Sequence, residues 1–217
     1  MPRCAQPPKV QWRKKSKNEN RKNINRLKRH KKYKMKDKTL EILGKYLDKD
    51  FRVSPMARSK STIEEIKAIE KKLNVKFPEE YIHHLLAEDA EVLSERGIFV
   101  EVKEEIWRRP KQYDVGPFWT FLYGLHTFTT KSESEDWMQL EIAGKEFIES
   151  TGLNAVPILR IVGDADLYCV DESGKIMQYN HEEIALNEIG MDFWELLEKE
   201  LKQLKERKQM MIDKNNK

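Results

Sequence analysis

Apolar residues follow two rhythms along this chain: helical spacing from Asp37 to about Leu86, and aromatic or β-branched clusters from Gly97 onward. In "DKTLEILGKYL", Leu40, Leu43 and Leu47 fall on one face of a short helix, with Asp37 placed to cap it. "FRVSPMARSK" (51–60) reads as a linker containing Pro55. In "STIEEIKAIEKKL" (61–73), Ser61 and Thr62 are each followed three residues later by a glutamate, the capping-box spacing. Ile63, Ile66, Ile69 and Leu73 make its apolar stripe. Asn74 tolerates the left-handed backbone that ends a helix, and Val75 and Phe77 are apolar enough to drop into a core. Pro78 suits the first position of a following helix, where its missing N–H is not needed. Glu79 and Glu80 favour that first turn through the helix dipole, and Tyr81, Ile82, Leu85 and Leu86 supply the buried face.

The later rhythm predicts strands in "GIFVEV" (97–102), "FWTFLYGLHTFT" (118–129), "AVPILRIV" (155–162) and "DLYCVDESGKIMQY" (166–179). Asp171 to Lys175 form a turn signal inside the last of these, making it a hairpin. Between the strands, "SESEDWMQLEIAGKEFIESTG" (132–152) reads as a helix with Phe147 and Ile148 inward and Gly152 closing it. "MDFWELLEKELKQLKERKQ" (191–209) is a final helix with Asp192 and Glu195 at capping spacing. Its inner stripe is Phe193, Leu197, Leu201 and Leu204. Helices, then strands with one inserted helix, then a closing helix give an α+β fold: an N-terminal helical pair packed on a mostly antiparallel sheet.

Charge changes the picture at the N-terminus. Residues 1–34 hold 14 of the 41 Lys/Arg and one of the 37 Asp/Glu, a net +13. The remaining 27 bases and 36 acids leave the body at −9, so the whole-chain net charge of +4 describes neither part. Residues 1–36 lack a sustained apolar period and repel themselves, which marks them as a basic disordered tail or as an extension from an upstream start with Met35 the true beginning. The alternative is a nucleic-acid contact, with Lys/Arg releasing counterions and Trp12 or Tyr33 stacking on bases. The organisation expected is therefore this tail, one α+β domain over 37–207, and a polar C-terminal tail over 208–217. The longest charge-free stretch of the body, Val115–Thr130, is too short and too polar for a membrane span. No apolar segment follows the basic start, so no secretory signal is expected and a cytoplasmic location follows by default.

Catalytic patterns are sparse. The two cysteines, Cys4 and Cys169, have no metal-ligand spacing, and Cys169 in its apolar strand reads as a small hydrophobe. In "HEE" (181–183) the position four after His181 is Ala185, so the zinc-protease pattern fails. His83 and His84 diverge on a helix, cannot chelate together and read as ordinary edge residues. The helix that they share opens with two carboxylates, which phosphate repels, so the helical pair is no DNA reader. In "GDADLYCVD" (163–171), either Asp164 and Asp166 hold a divalent cation, for which two carboxylates are too few to make a hard-cation cage, or Gly163 and Asp164 simply turn the chain into the strand Leu167–Val170, the preferred reading. In "SESED" (132–136), Glu133, Glu135 and Asp136 stand beside Trp137: a solvated loop, or an acidic patch with an aromatic anchor for a basic partner. These six residues are the candidate partner contacts. No cofactor, metal or catalytic residue is expected.

"IEEIKAIEKKLNVKFPEEYIHHLL" resembles the opening of the SUKH superfamily (the SMI/KNR-type domain): an amphipathic helix, an L-x-V-x-[FL]-P-x-x-[YF] turn, and a helix ending in leucines. "VPILRIVGDADLYCVDESGKIMQYNHEE" is similar to that family's second block, and "MDFWELLEKEL" to its closing helix, so the resemblance spans about residues 61–204. Residues 1–36 have no counterpart there, and "DVGPFWTFLYGLHTFTTKSESEDW" is an elaboration. "AEDAEVLSERG" stands where many relatives are Gly-rich. The resemblance implies an α+β domain without catalytic residues. Its bacterial branch, which the Lys-, Ile- and Asn-rich composition favours, consists mostly of immunity proteins that bind and neutralise a cognate toxin, often a nuclease. Fungal relatives are scaffold-like regulators of cell-wall synthesis. Nucleases are usually basic, so an acidic body suits an inhibitor of one.

Overall fold

The computed structural model describes residues 38–87, 94–111 and 116–215. The reading of residues 1–36 and the cap at Asp37 lie outside them. Among the described residues there are five helices and a seven-stranded sheet, an α+β arrangement. The helices are α1 (Lys38–Tyr46), α2 (Ile63–Leu73), α3 (Glu79–Leu86), α4 (Leu140–Thr151) and α5 (Phe193–Asn215). The strands are β1 (Phe51–Pro55), β2 (Ile98–Val102), β3 (Gly124–Thr127), β4 (Ala155–Ile161), β5 (Leu167–Asp171), β6 (Ile176–Asn180) and β7 (Ala185–Glu188). They lie in chain order, each antiparallel to the next. Helices α2 and α3 are inserted between β1 and β2, and α4 between β3 and β4.

The capping chemistry read from the sequence is present. Thr62 caps α2: its hydroxyl accepts from the Glu65 N–H at 3.2 Å, while the Glu65 carboxylate accepts from the Thr62 N–H at 2.9 Å. Asn74 ends α2 in the left-handed region at φ 52°, and Gly152 ends α4 at φ 73°. Asp192 and Glu195 exchange the same reciprocal pair at the start of α5, at 3.0 and 2.9 Å. Val75 and Phe77 are buried between the helices. Pro78 immediately precedes α3 rather than occupying its first position.

Several boundaries differ from the sequence reading, each for a local reason. The expected linker at 51–60 contains β1, an edge strand whose F-R-V-S alternation is hidden by its polar residues; Pro55 is tolerated at the strand end. Only Gly124–Thr127 of the aromatic run 118–129 pairs as a strand. Pro117 starts a 3₁₀ turn over Phe118–Phe121 instead. Helix α4 begins at Leu140, after a separate 3₁₀ turn at Asp136–Met138, and Ile148 is half-buried rather than inward. Strand β7 carries no apolar alternation, and pairing along β6 orders it. The polar segment expected as a tail from residue 208 continues α5 to Asn215, with Lys208 and Met211 buried.

Register assigns the two faces of the sheet. Val53, Val100, Leu125, Leu159 and Tyr168 share one face, which α3 and α5 cover through His84–Thr127 and Tyr168–Glu200 contacts. Phe99, His126, Arg160, Leu167, Tyr179 and Leu186 share the other. There the Phe147 ring of α4 meets Tyr179 edge-on at 4.9 Å, over Ala155 and Cys169.

His84, read as an edge residue, is fully buried. Its Nδ1 is hydrogen-bonded with Thr39 of α1 at 2.9 Å and its Nε2 with Thr127 of β3 at 3.1 Å. The ring packs among Tyr81, Phe193 and Trp194, and burial lowers its pKa to about 3. Adjacent in sequence, His83 is half-buried at the helix edge, as read.

Candidate functional site

The six candidate contact residues fall on two loops, and the fold carries those loops to opposite faces of the sheet. The first loop precedes α4. Its shape is held from inside: Gln139 donates to the Ser134 carbonyl at 2.7 Å, and the Ser134 hydroxyl donates to the Met56 carbonyl at 2.8 Å. That leaves Glu133, Glu135, Asp136 and Trp137 exposed. The Ser59 hydroxyl donates to the Glu133 carboxylate and holds it below its usual pKa. Trp137 donates its indole N–H to Glu135 at 2.6 Å, which fixes the ring while leaving the residue 45% exposed.

Beneath that ring lies His126 of β3, edge-on to the indole at 5.4 Å and to Phe128 at 5.0 Å. Burial lowers the His126 pKa to about 4, and the neighbouring Arg160 charge adds to the effect; a hydrogen bond to the Thr127 carbonyl opposes both. A neutral imidazole therefore supports an exposed indole held by Glu135, with Glu133 and Asp136 exposed on the same loop. Such an aromatic anchor beside acids suits the surface of a basic protein.

The second loop is the β4–β5 turn. Gly163 has φ +84°, and a Cβ there would meet the Phe121 carbonyl oxygen at 2.7 Å, so both backbone shape and space demand glycine. Asp164 Oδ1 accepts from the Asp166 N–H at 3.1 Å, and Asp166 Oδ1 accepts from the His181 N–H at 3.0 Å. Gly163 and Asp164 thus shape the turn, while the Asp166 carboxylate ties it to the segment after β6. Among the described residues, no cluster of three or more His, Cys, Asp or Glu side chains is grouped to hold a metal ion.

Asp164 and Asp166 also stand at a pocket of about 280 Å³ between the turn, β5 and α5. Tyr168 and Glu200 form its buried wall, joined by the Tyr168 hydroxyl donating to Glu200 at 2.7 Å. Lys199 donates to the same hydroxyl at 3.1 Å and lies 3.4 Å from the Glu200 carboxylate. Burial, reinforced by the Glu200 charge, pushes the Tyr168 pKa far up and keeps the phenol a donor. Arg207 closes the far side, its Nε donating to the Leu122 carbonyl at 3.1 Å. Burial lowers its pKa against the pull of Glu200 and Asp164, and its Nη2 is buried without a hydrogen-bond partner among the described residues.

Sequence reasoning missed Tyr168, Lys199, Glu200 and Arg207. A signal was present for one of them: Glu200 sits three residues after Leu197 and four before Leu204, on the apolar stripe of α5. A carboxylate on such a stripe is buried only with a partner, and Tyr168 is that partner. Cys169 is fully buried in β5, and burial pushes its thiol pKa well up, so it is an inert core residue.

Among the described residues, no helix is long and apolar enough to cross a membrane. The family model described as SMI1 / KNR4 family (SUKH-1) matches residues 60–199, well over half the chain. That span takes in α2 to the first turns of α5, and with them both candidate loops. No curated protein matches the chain, and no solved structure does.

Proposed function

The chain belongs to the SMI1 / KNR4 family (SUKH-1), and from that premise we propose that it is a non-catalytic protein-binding domain, an immunity protein that neutralises a cognate basic toxin, such as a nuclease. The observation that carries this reading is the exposed Trp137 set among Glu133, Glu135 and Asp136 on a body of net charge −9. A rigid aromatic supplies contact area at low entropic cost, and the surrounding carboxylates steer a positively charged partner toward it. A nuclease's phosphate-binding surface is basic, so an inhibitor that covers it presents carboxylates.

The test is capture by the tagged full-length chain from its native lysate, followed by expression of the captured protein alone and together with the chain. The reading expects one stoichiometric basic protein, toxic by itself and harmless when co-expressed. Binding is expected to fall by at least about tenfold in a Glu133→Lys/Glu135→Lys/Asp136→Lys variant, through rim charges made repulsive. A captured protein that is harmless alone, or a variant that binds as well as the parent, counts against it. The 14 basic residues within 1–34 favour one second reading, nucleic-acid association. RNA or DNA retained by the full chain with steep salt dependence, and no protein captured, moves the function to that segment.

A further inference from the structure

The pocket on the α5 side of the sheet has a charge layout that selects its occupant. Its wall carries three carboxylates (Asp164, Asp166 and Glu200) and two cations (Lys199 and Arg207). Glu200 and Lys199 neutralise one another across 3.4 Å, both tied to the Tyr168 hydroxyl. Arg207 is pinned to the Leu122 carbonyl and forms no ion pair with Asp164 or Asp166 among the described residues. One negative charge is left over. The turn uses only Oδ1 of each aspartate, so Oδ2 of Asp164 and of Asp166 carries no hydrogen bond among the described residues.

We propose that this pocket is a socket for one basic side chain of the protein partner, arginine in preference to lysine, an inference that rests on the protein-binding reading above. A monocation cancels the residual charge of the lining, whereas a monoanion, although Arg207 Nη2 has no partner among the described residues and can donate to it, would meet three carboxylates in a lining already one charge negative. Arginine's planar fork presents several N–H groups at fixed angles and so reaches two separate carboxylate oxygens, which lysine's compact ammonium does less well. Leu122 and Ile161 also line the pocket and provide apolar surface for the methylene stem. The socket opens on the face opposite Trp137, so it is a second point of attachment, reached by a projecting loop of the partner rather than by the surface that meets the indole.

The experiment titrates N-acetyl-L-arginine amide into the ¹⁵N-labelled full-length chain, with the glutamine and glutamate analogues as controls. The expected result is saturable shifts at the amides of Asp164, Asp166 and Tyr168 and along α5 near Glu200, strongest for the arginine probe and absent for the glutamate one. An Asp164→Asn/Asp166→Asn variant keeps the Oδ1 acceptors that hold the turn, so its melting temperature is expected to match the parent's while affinity for the arginine probe falls at least about tenfold. No shift at these amides, equal binding of the glutamate probe, or undiminished binding by a folded double variant overturns the socket. The probe is read without any partner, so its failure leaves the protein-binding reading standing. The captured partner adds the converse check: full affinity for the double variant removes the socket, while loss of about tenfold or more supports it.

Discussion

At the scale of single residues, the interior holds polar groups of two kinds. Tyr81 is fully buried against Phe77 and Phe193, and its hydroxyl has no hydrogen-bond partner among the described residues. An unsatisfied buried hydroxyl costs more than the bond it fails to make, so Tyr81→Phe is expected to stabilise the protein by about 1 kcal/mol, read as a raised denaturation midpoint. An unchanged or lower midpoint would mean that the hydroxyl is satisfied in solution. His84 and His126 are of the other kind, partnered but held neutral, with pKa values near 3 and 4. Both lie below the unfolded value of about 6.5, so the unfolded chain binds protons that the folded one refuses. Stability is therefore expected to fall on acidification from about pH 6.5 to 4, each histidine adding a slope of at most about 1.4 kcal/mol per pH unit. His84 continues alone toward pH 3. Denaturant melts across that range would show it, and a flat profile between pH 7 and 5 would contradict it.

At the scale of elements, local chemistry that satisfies its own backbone was readable. The Thr62–Glu65 box, the Asn74 stop and the Asp192–Glu195 pair bond within a few residues of themselves, so spacing alone revealed them. Strand β1 was not readable, because its polar residues hide the alternation and its partner lies far along the chain, Arg52 pairing with Glu101; β7 was not, because A-L-N-E carries no apolar alternation and only pairing along β6, as of Gln178 with Asn187, orders it. The β4–β5 turn lies between these cases. Gly163 announced a turn, but only the approach of the Phe121 carbonyl shows why no side chain fits there. Gly163→Ala is expected to cost about 2 kcal/mol or more, from left-handed strain plus that collision, and to displace Asp164. Thermal melts beside the arginine-probe titration test it; a variant of unchanged stability would show that the turn is freer than its geometry implies.

At the scale of the whole described body, long-range charge does two jobs. Lys208 reaches back from the end of α5 to Asp48 at 2.6 Å and Asp50 at 2.8 Å. Burial alone would lower its pKa, but the two carboxylates raise it instead. The bond anchors the last turns of a helix that composition had marked as a tail. On the proposed function, the surplus of carboxylates in the body acts outward, on the partner. Association with the captured basic partner is expected to slow by about tenfold between low salt and 0.5 M salt, because screening shortens the reach of steering. A rate independent of salt would mean that the acidic surface does not guide the encounter.

Sequence alone determined the α+β class, the caps at Thr62, Asn74, Gly152 and Asp192, the family and the separation of a basic N-terminal segment from an acidic body. Periodicity, capping and charge are properties of neighbouring residues, and they need no folded partner to be visible. Tertiary structure decided the rest. Register put Trp137 and the Asp164–Asp166 turn on opposite faces, because neighbouring residues of a strand point opposite ways: His126 of β3 underlies Trp137, while Leu125 beside it faces α5. Packing buried His84 between two threonines that lie 45 residues before it and 43 after it. The pocket exists only where Glu200 and Arg207 of α5 meet Tyr168 of β5, a meeting set by how helix and sheet stack and not by any spacing along the chain.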